Sequence, residues 1–223
     1  MKRTTNSTSS SPLPSPTGLS RRSLAATGLA FALLGSLAAC DQLGLGGSSK
    51  LAFKGVDLTG AEYARNLNLP DQDGRSRSLA DFKGKVVVVF FGYTQCPDVC
   101  PTTMAELAEV KRSLGADGER VQGVFVSVDP ERDSPALLKA YMASFDPSFV
   151  ALRGSEEQTK VAAKEFKVYY AKVPGKTPES YTLDHTAASF IFDPEGRVRV
   201  FSRYGSGAQA LADDIKLLLA EKR

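Results

Sequence analysis

One strand-like run limits the folds that are open to this sequence. Residues 85–92 read KVVVVFFG, a continuous stretch of β-branched and aromatic side chains without polar alternation. Such a run is typical of a strand buried on both faces of a sheet, as in α/β proteins. Residues 121–128 (VQGVFVSV) are mainly apolar, predict a second buried strand and end at Asp129-Pro130. The chain is therefore expected to contain at least two central strands of one sheet.

Segments with helical features alternate with these strands. Residues 101–110 begin with a proline, which a first helical turn tolerates, and carry apolar side chains near helical spacing. Ser134 is expected to cap a further helix that has Pro135 in its first turn. The buried face of that helix is predicted to carry Leu137, Leu138, Tyr141 and Phe145.

The second half of the chain continues the alternation. Helices are predicted over residues 156–166 and 209–221, short extended segments near 149–152 and 168–173, a loop over 174–184, and a hairpin with strands 189–193 and 197–203. Strand–helix alternation that closes with a hairpin and a helix predicts an α/β fold. We expect a thioredoxin-like sandwich with a central mixed sheet flanked by helices.

Beyond its N-terminal part, the sequence holds three side chains that can bind a thiophilic metal tightly. They are Cys96, Cys100 and the sole histidine, His185. Two sulfur atoms and one nitrogen suit copper better than magnesium or calcium, which take oxygen ligands. Three protein ligands also leave a coordination position through which the metal can be handed on. The first hypothesis is a site with two thiolates and one imidazole.

A redox dithiol beside an unrelated histidine is the alternative. A cysteine pair that opens a helix after an apolar strand is often redox-active, and the low thiol pKa at a helix N-terminus serves both functions. Three residues between the cysteines, rather than two, let the sulfur atoms converge on an ion. His185 precedes the strand predicted at 189–193, whose entry passes beside the cysteine-bearing helix in a thioredoxin-like sheet. Both features favour the metal site.

Asp129 is a minor candidate at the same edge of the sheet. It follows a predicted strand, so its carboxylate could orient a metal ligand. A purely structural role in the Asp-Pro turn explains it equally well.

The N-terminal 39 residues predict an export signal. Arg21-Arg22 precede an apolar run that is shorter than a typical transmembrane helix. The sequence Leu37-Ala38-Ala39-Cys40 at its end resembles a bacterial lipobox. Cleavage would leave Cys40 as a lipid-carrying N-terminus. We expect a signal peptide over 1–39, a flexible tether over 40–60 and one folded domain over 61–223. Sec and twin-arginine export both stay open.

Charge argues against a nucleic-acid partner. The net charge of +3 arises in the predicted signal, which contains four basic side chains and no acidic one, namely Lys2, Arg3, Arg21 and Arg22. The remaining domain is nearly neutral and has no basic stripe interleaved with aromatic residues. Export would also place the cysteine pair in an oxidising compartment, so either a partner reduces the pair or oxidation is its function.

Three motifs in order resemble the Sco/SenC family of cytochrome c oxidase assembly proteins. They are residues 91–101 (FGYTQCPDVCP), 127–135 (SVDPERDSP) and 183–186 (LDHT). The resemblance covers about residues 67–219. It implies a membrane-anchored thioredoxin-like domain that binds copper, as Cu(I), Cu(II) or both, through Cys96, Cys100 and His185. Gln95 departs from the family, in which histidine is frequent at that place.

The resemblance also implies partners and a location. The domain would assist assembly of the dinuclear copper A centre in cytochrome c oxidase subunit II, working with other periplasmic copper chaperones and a thiol reductant. A lipid on Cys40 would replace the transmembrane helix of many members and hold the protein on the outer face of the cytoplasmic membrane. Two further functions stay open. One is a thiol–disulfide reductase that uses Cys96 and Cys100 to keep the oxidase cysteines reduced, and the other is a redox or copper sensor.

Overall fold

A mixed β-sheet forms the centre of the chain in a computed structural model that describes residues 51–177 and 180–221. In chain order the strands are β1 (Val56–Asp57), β2 (Asn68–Pro70), β3 (Ser76–Ser78), β4 (Val86–Gly92), β5 (Val121–Ser127), β6 (Val150–Leu152), β7 (Tyr170–Val173), β8 (Thr182–His185), β9 (Ala188–Phe192) and β10 (Val198–Arg203). The helices are α1 (Val99–Ser113), α2 (Pro135–Ala143), α3 (Glu156–Glu165) and α4 (Ala208–Ala220), with short 3-10 helices at Leu79–Phe82 and Gly115–Arg120.

The six-stranded sheet has the order β1-β10-β9-β4-β5-β6. Its central strands β4 and β5 pair in parallel from Val86↔Val121 to Gly92↔Ser127. Strand β9 pairs antiparallel with the other edge of β4, and β10 pairs antiparallel with β9. All seven residues of β4 are buried. Because successive side chains point to opposite faces of a sheet, both faces are covered, and the predicted thioredoxin-like sandwich is confirmed.

The two faces of the sheet have different cores. On one face, Phe166 at the end of α3 lies 5.1 Å from Phe91 and 5.3 Å from Phe190, measured between ring centroids. On the other face, Phe90 and Phe125 pack beneath α1, which also contacts α4. Helix α1 buries Met104, Leu107 and Val110 on this face and begins two residues earlier than predicted. Cys100 therefore lies inside its first turn.

Helix α2 confirms one prediction and corrects another. The Ser134 hydroxyl oxygen accepts a hydrogen bond from the Leu137 backbone N–H at 3.2 Å, so the predicted cap is present. Leu137 itself is 41% exposed, although it was predicted to face the core. The buried stripe consists of Leu138 and Met142, four residues apart, and Leu137 lies about 100° away from it around the helix axis.

The folded part begins earlier than residue 61. Strand β1 pairs with β10 through Val56↔Phe201, and the Lys54 and Gly55 backbone N–H groups donate to the Asp214 carboxylate at 2.6 and 2.9 Å. These residues fall within the range 40–60 predicted as a tether. The predicted signal over 1–39, Cys40 and tether residues up to 50 lie outside the described residues. No helix among the described residues is long and apolar enough to cross a membrane.

The end of the predicted loop 174–184 is a strand. Strand β8 pairs antiparallel with β7 from Tyr170↔His185 to Val173↔Thr182. We call this two-stranded sheet, β7 and β8 together, the ligand hairpin. It is separate from the central sheet and carries His185 at its end.

Candidate metal centre

The fold brings the three predicted ligands together. The Cys96 and Cys100 sulfur atoms and a His185 ring nitrogen all lie within 4.8 Å of one another. Cys96 is half-buried in the loop after β4, Cys100 is fully buried in α1, and His185 is half-buried at the end of β8. Two segments far apart in the sequence, the cysteine-bearing segment and the end of β8, thus converge at the carboxyl end of the central strand.

Gly92, the last residue of β4, makes room for Cys100. A Cβ atom at this position would lie 2.8 Å from the Cys100 sulfur and 2.9 Å from the rings of Phe90 and Phe125. Contacts this short require the neighbours to move. Sequence reasoning missed this role, because a glycine at a strand end does not reveal which side chain lies above it.

The two thiols share one proton. The hydrogen bond from the Cys100 thiol is the main reason that the pKa of Cys96 falls to about 5. The backbone N–H groups of Asp98 and Cys100 act in the same direction, and partial burial opposes them. The same thiol–thiol hydrogen bond, together with burial, raises the pKa of Cys100. Near neutral pH the pair therefore consists of a Cys96 thiolate and a Cys100 thiol.

His185 presents a nitrogen lone pair to the cysteines. Its Nδ1 lies 3.2 Å from the Thr186 carbonyl oxygen, and a carbonyl can only accept, so the proton belongs on Nδ1. The other nitrogen, Nε2, lies 3.4 Å from the Cys100 sulfur. The ring makes edge contacts with Phe90 and Tyr93 at centroid distances of 5.7 and 6.0 Å. The hydrogen bond to Thr186 fixes the tautomer of the imidazole. Together with the Phe90 and Tyr93 rings, it also fixes the orientation that a metal ligand needs.

The donor set fits a soft ion. One thiolate is already available, a second thiol lies beside it, and the imidazole completes a trio that contains no carboxylate. Hard cations prefer oxygen ligands, whereas thiolate and imidazole suit copper. The same adjacency of the two free thiols also suits dithiol chemistry.

Asp129 lies outside this trio. Its buried carboxylate accepts hydrogen bonds from the Arg132 Nε at 2.5 Å and from the Tyr181 hydroxyl at 2.7 Å. Its contacts in the described part of the chain are therefore with neighbours of the ligand hairpin rather than with a ligand. A role of Asp129 in orienting a ligand stays a proposal and would have to act through these residues.

Asp133 supports the loop that carries Cys96. It is fully buried and accepts hydrogen bonds from the Thr94 hydroxyl and the Ser127 hydroxyl, both at 2.6 Å, and from the Thr94 backbone N–H at 3.2 Å. Burial raises the pKa of this carboxyl group, and the hydrogen bonds oppose the rise. Sequence reasoning did not identify this role, because Thr94 lies 39 residues before Asp133 in the chain.

A sequence model described as SCO1/SenC matches residues 57–220. The chain belongs to the SCO1/SenC family. Among its SCO1/SenC relatives, the mitochondrial protein SCO2 homolog of Mus musculus is 35% identical over 157 residues, which cover 70% of this chain and 62% of the relative. The chain thus spans less than two thirds of that relative's length.

Solved SCO1/SenC structures share the fold. The copper-bound structure of Bradyrhizobium japonicum ScoI is 41% identical with a TM-score of 0.63 and covers 69% of this chain and 98% of its own. A SCO1/SenC family lipoprotein from Bacillus anthracis is 28% identical with a TM-score of 0.59, covering 71% and 98%. BsSco, described as having a disulfide switch and as a member of the Sco family of cytochrome c oxidase assembly proteins, is 25% identical with a TM-score of 0.58, covering 77% and 99%.

Proposed function

We propose that this protein is a membrane-anchored copper chaperone for cytochrome c oxidase. It binds one copper ion through Cys96, Cys100 and His185 and assists assembly of the dinuclear copper A centre in oxidase subunit II. The observation that carries the proposal is the convergence of two sulfur atoms and one imidazole nitrogen within 4.8 Å. The copper-bound state of the similar Bradyrhizobium japonicum protein supports copper as the ion.

The three ligands have different tasks in binding and release. The Cys96 thiolate is ready to accept the ion, whereas Cys100 has to give up its proton as the ion binds, since its pKa is raised in the free protein. His185 supplies the neutral nitrogen. Three protein ligands leave a position for an incoming ligand of the acceptor, so copper can pass by ligand exchange without being released as a free ion.

Anchoring and partners extend the proposal beyond the described residues. The lipobox at Leu37–Cys40 supports a lipid on Cys40, a place on the outer face of the cytoplasmic membrane and a tether to the domain. A lipoprotein among the similar structures supports the same arrangement. Oxidase subunit II is the proposed acceptor, with other periplasmic copper chaperones and a thiol reductant as further partners.

A thiol–disulfide reductase is the second candidate. The lowered pKa of Cys96 favours it, because a thiolate beside a second thiol is the reactive form of a dithiol. The disulfide switch described for BsSco points the same way. In this function the pair would reduce the copper-ligating cysteines of the oxidase and would itself become a disulfide, which a thiol reductant would then restore.

Copper titration of the reduced protein tests the chaperone proposal. We expect one equivalent of Cu(II) to bind with a thiolate-to-copper charge-transfer band, which Cys96→Ser and Cys100→Ser abolish and His185→Ala changes. Equal copper retention by Cys96→Ser, or an unchanged band in His185→Ala, would overturn the ligand set.

Oxidase assembly in cells separates the two functions. The chaperone requires His185 and the reductase does not, so His185→Ala should lose oxidase assembly while its reductase activity on a disulfide peptide persists. Normal assembly with His185→Ala would favour the reductase.

A further inference from the structure

The Arg132 side chain lies where three segments around the metal centre meet. These segments are the loop that carries Cys96, the turn after β5 that contains Asp129, and the entry to β8 that leads to His185. The guanidinium group contacts all three, at Gln95, Asp129 and Tyr181. The sequence pattern alone assigns Arg132 no function.

The contacts of Arg132 with Tyr181, the residue directly before the second strand of the ligand hairpin, are close and of two kinds. Its Nη1 donates to the Tyr181 carbonyl oxygen at 2.9 Å, and its guanidinium carbon lies 3.6 Å from the centroid of the Tyr181 ring. The first contact fixes the backbone just before β8, and the second is a cation–π contact. Tyr181 precedes His185 by four residues, so these contacts fix the chain close to the ligand.

The same guanidinium group also contacts the loop that carries Cys96. Nη1 also donates to the Gln95 side-chain oxygen at 3.1 Å, directly before Cys96. The guanidinium carbon lies 5.7 Å from the centroid of the Tyr93 ring. The Tyr93 hydroxyl oxygen in turn accepts a hydrogen bond from the Leu183 backbone N–H at 3.3 Å, which gives the hairpin a second attachment to this loop.

Asp129 holds the guanidinium in place. Its carboxylate accepts from the Arg132 Nε with one oxygen and from the Tyr181 hydroxyl with the other. The Asp129 side chain is 1% exposed and that of Arg132 is 16% exposed, so the ion pair is largely screened from solvent. A planar guanidinium can donate in several fixed directions at once, which an ammonium group cannot do in this geometry.

We propose that Arg132 is a positioning residue. Its contacts with Gln95, Asp129 and Tyr181, together called the latch, hold the ligand hairpin against the cysteine loop and thereby control how firmly His185 is held at the metal. This inference rests on the proposed ligand set. Loss of the latch would leave Cys96 and Cys100 in place, because both are positioned by β4, α1 and Asp133. The expected consequence is faster loss of copper through release of His185, with the two thiolates still bound.

Lys172, a second cation near the Tyr181 ring, provides a matched control. Its Nζ lies 4.6 Å from the Tyr181 ring centroid and pairs with the Glu131 carboxylate at 2.6 Å, but its side chain is 48% exposed. Its ammonium group contacts Glu131 and Tyr181 and, within the described part of the chain, no residue of the cysteine loop, while its backbone pairs with Leu183 and is unchanged by the substitution. Lys172→Ala removes a cation from the hairpin but leaves the contacts of Arg132 in place.

Hydrogen exchange in the metal-free protein tests the latch without copper. Arg132→Ala should speed exchange of the Leu183 amide by about tenfold or more, because a charge-assisted contact and its cation–π partner are lost. Arg132→Lys should fall between wild type and Arg132→Ala, and Lys172→Ala should match wild type. Equal protection in Arg132→Ala and wild type, or equal loss in Lys172→Ala, would overturn the proposal.

Copper dissociation into a Cu(I) chelator supplies the second test. Arg132→Ala should accelerate it by about tenfold in the presence of His185 and should add nothing in the His185→Ala background. A general structural defect would instead accelerate loss equally in both backgrounds, and that result would also overturn the latch. If Cys96, Cys100 and His185 of the wild-type protein bind no copper, the proposed function fails. The hydrogen-exchange experiment still shows whether Arg132 holds the ligand hairpin in place.

Discussion

The Nε2 atom of His185 lies 3.4 Å from the Sγ atom of Cys100, although 85 positions separate the two residues in the chain. The distance is set by two attachments. A short loop joins the central strand to α1, and Thr186 and Ala187 join the ligand hairpin to β9, which pairs with that strand. A buried sheet thus fixes the spacing between ligands that have no local connection.

Gly92→Ala should weaken copper binding together with stability. The added methyl group would press against the Cys100 sulfur at 2.8 Å, and overpacking of this kind typically costs about 1–3 kcal/mol. Gly123→Ala in the neighbouring strand is a suitable control, since its Cβ would meet Phe149 at 2.7 Å, away from the sulfur atoms. Denaturant unfolding should show comparable losses for both variants, whereas copper titration should show weaker binding for Gly92→Ala only. Equal copper affinity in the two variants would contradict this role of Gly92.

The reactivity of Cys96 should persist to low pH. Because the pKa of Cys96 is lowered to about 5, its thiolate fraction should stay high from pH 8 down to pH 6 and fall only as the pH approaches 5. Alkylation of the metal-free protein with iodoacetamide, followed by peptide mass spectrometry, measures this profile. Cys100 should stay unmodified, because it is buried and its pKa is raised. Cys100→Ala removes the main hydrogen bond and should move the midpoint of Cys96 to higher pH.

The same shift links stability to pH. A thiol with a lowered pKa in the folded state contributes stability that is fully present above the ordinary thiol pKa and is lost as the pH falls through about 5. The free energy of unfolding should therefore depend on pH between about 5 and 9 more steeply in wild type than in Cys96→Ser. Parallel profiles for the two proteins would contradict the shift.

Asp133→Ala should destabilise the domain by several times more than Asp133→Asn. Alanine leaves the Thr94 backbone N–H and two hydroxyl groups without their acceptor, at a typical cost of about 1–3 kcal/mol for each buried group left unpaired. Asparagine keeps one acceptor oxygen, and the hydroxyl groups can rotate to accept from its amide. Thermal unfolding of the metal-free proteins measures the difference, and equal melting temperatures for the two variants would refute this account.

Cys40→Ser should release the protein from the membrane while leaving the copper domain intact. The basis is the lipobox that ends at Cys40 and the Gly/Ser-rich segment after it. Membrane fractionation and mass spectrometry of the mature N-terminus measure the outcome. An unlipidated wild-type terminus downstream of Cys40 would refute the anchor.

The structural features that could be predicted from the sequence are those marked by a local sequence pattern. Strand β4 is a continuous apolar run and β5 is mainly apolar, Ser134-Pro135 is a local cap, and the ligand trio follows from the scarcity of soft side chains. Strand β8 was missed because residues 182–185 (TLDH) show no strand pattern of their own and extend only because they pair with β7. Gly92, Asp133 and Arg132 were missed for a related reason, since their importance comes from contacts that form only in the folded chain.

The separation of the ligand hairpin from the central sheet has an evolutionary consequence. Its strand pairing is confined to β7 and β8, so substitutions at its exposed positions can change how long the metal stays bound with little effect on the cooperative unfolding of the core, to which only Leu183 of β8 contributes a buried side chain. Substitutions in β4 affect both properties at once. Selection can therefore adjust the metal residence time to different acceptors along the hairpin, while the cysteine side of the site stays under the stricter demands of folding.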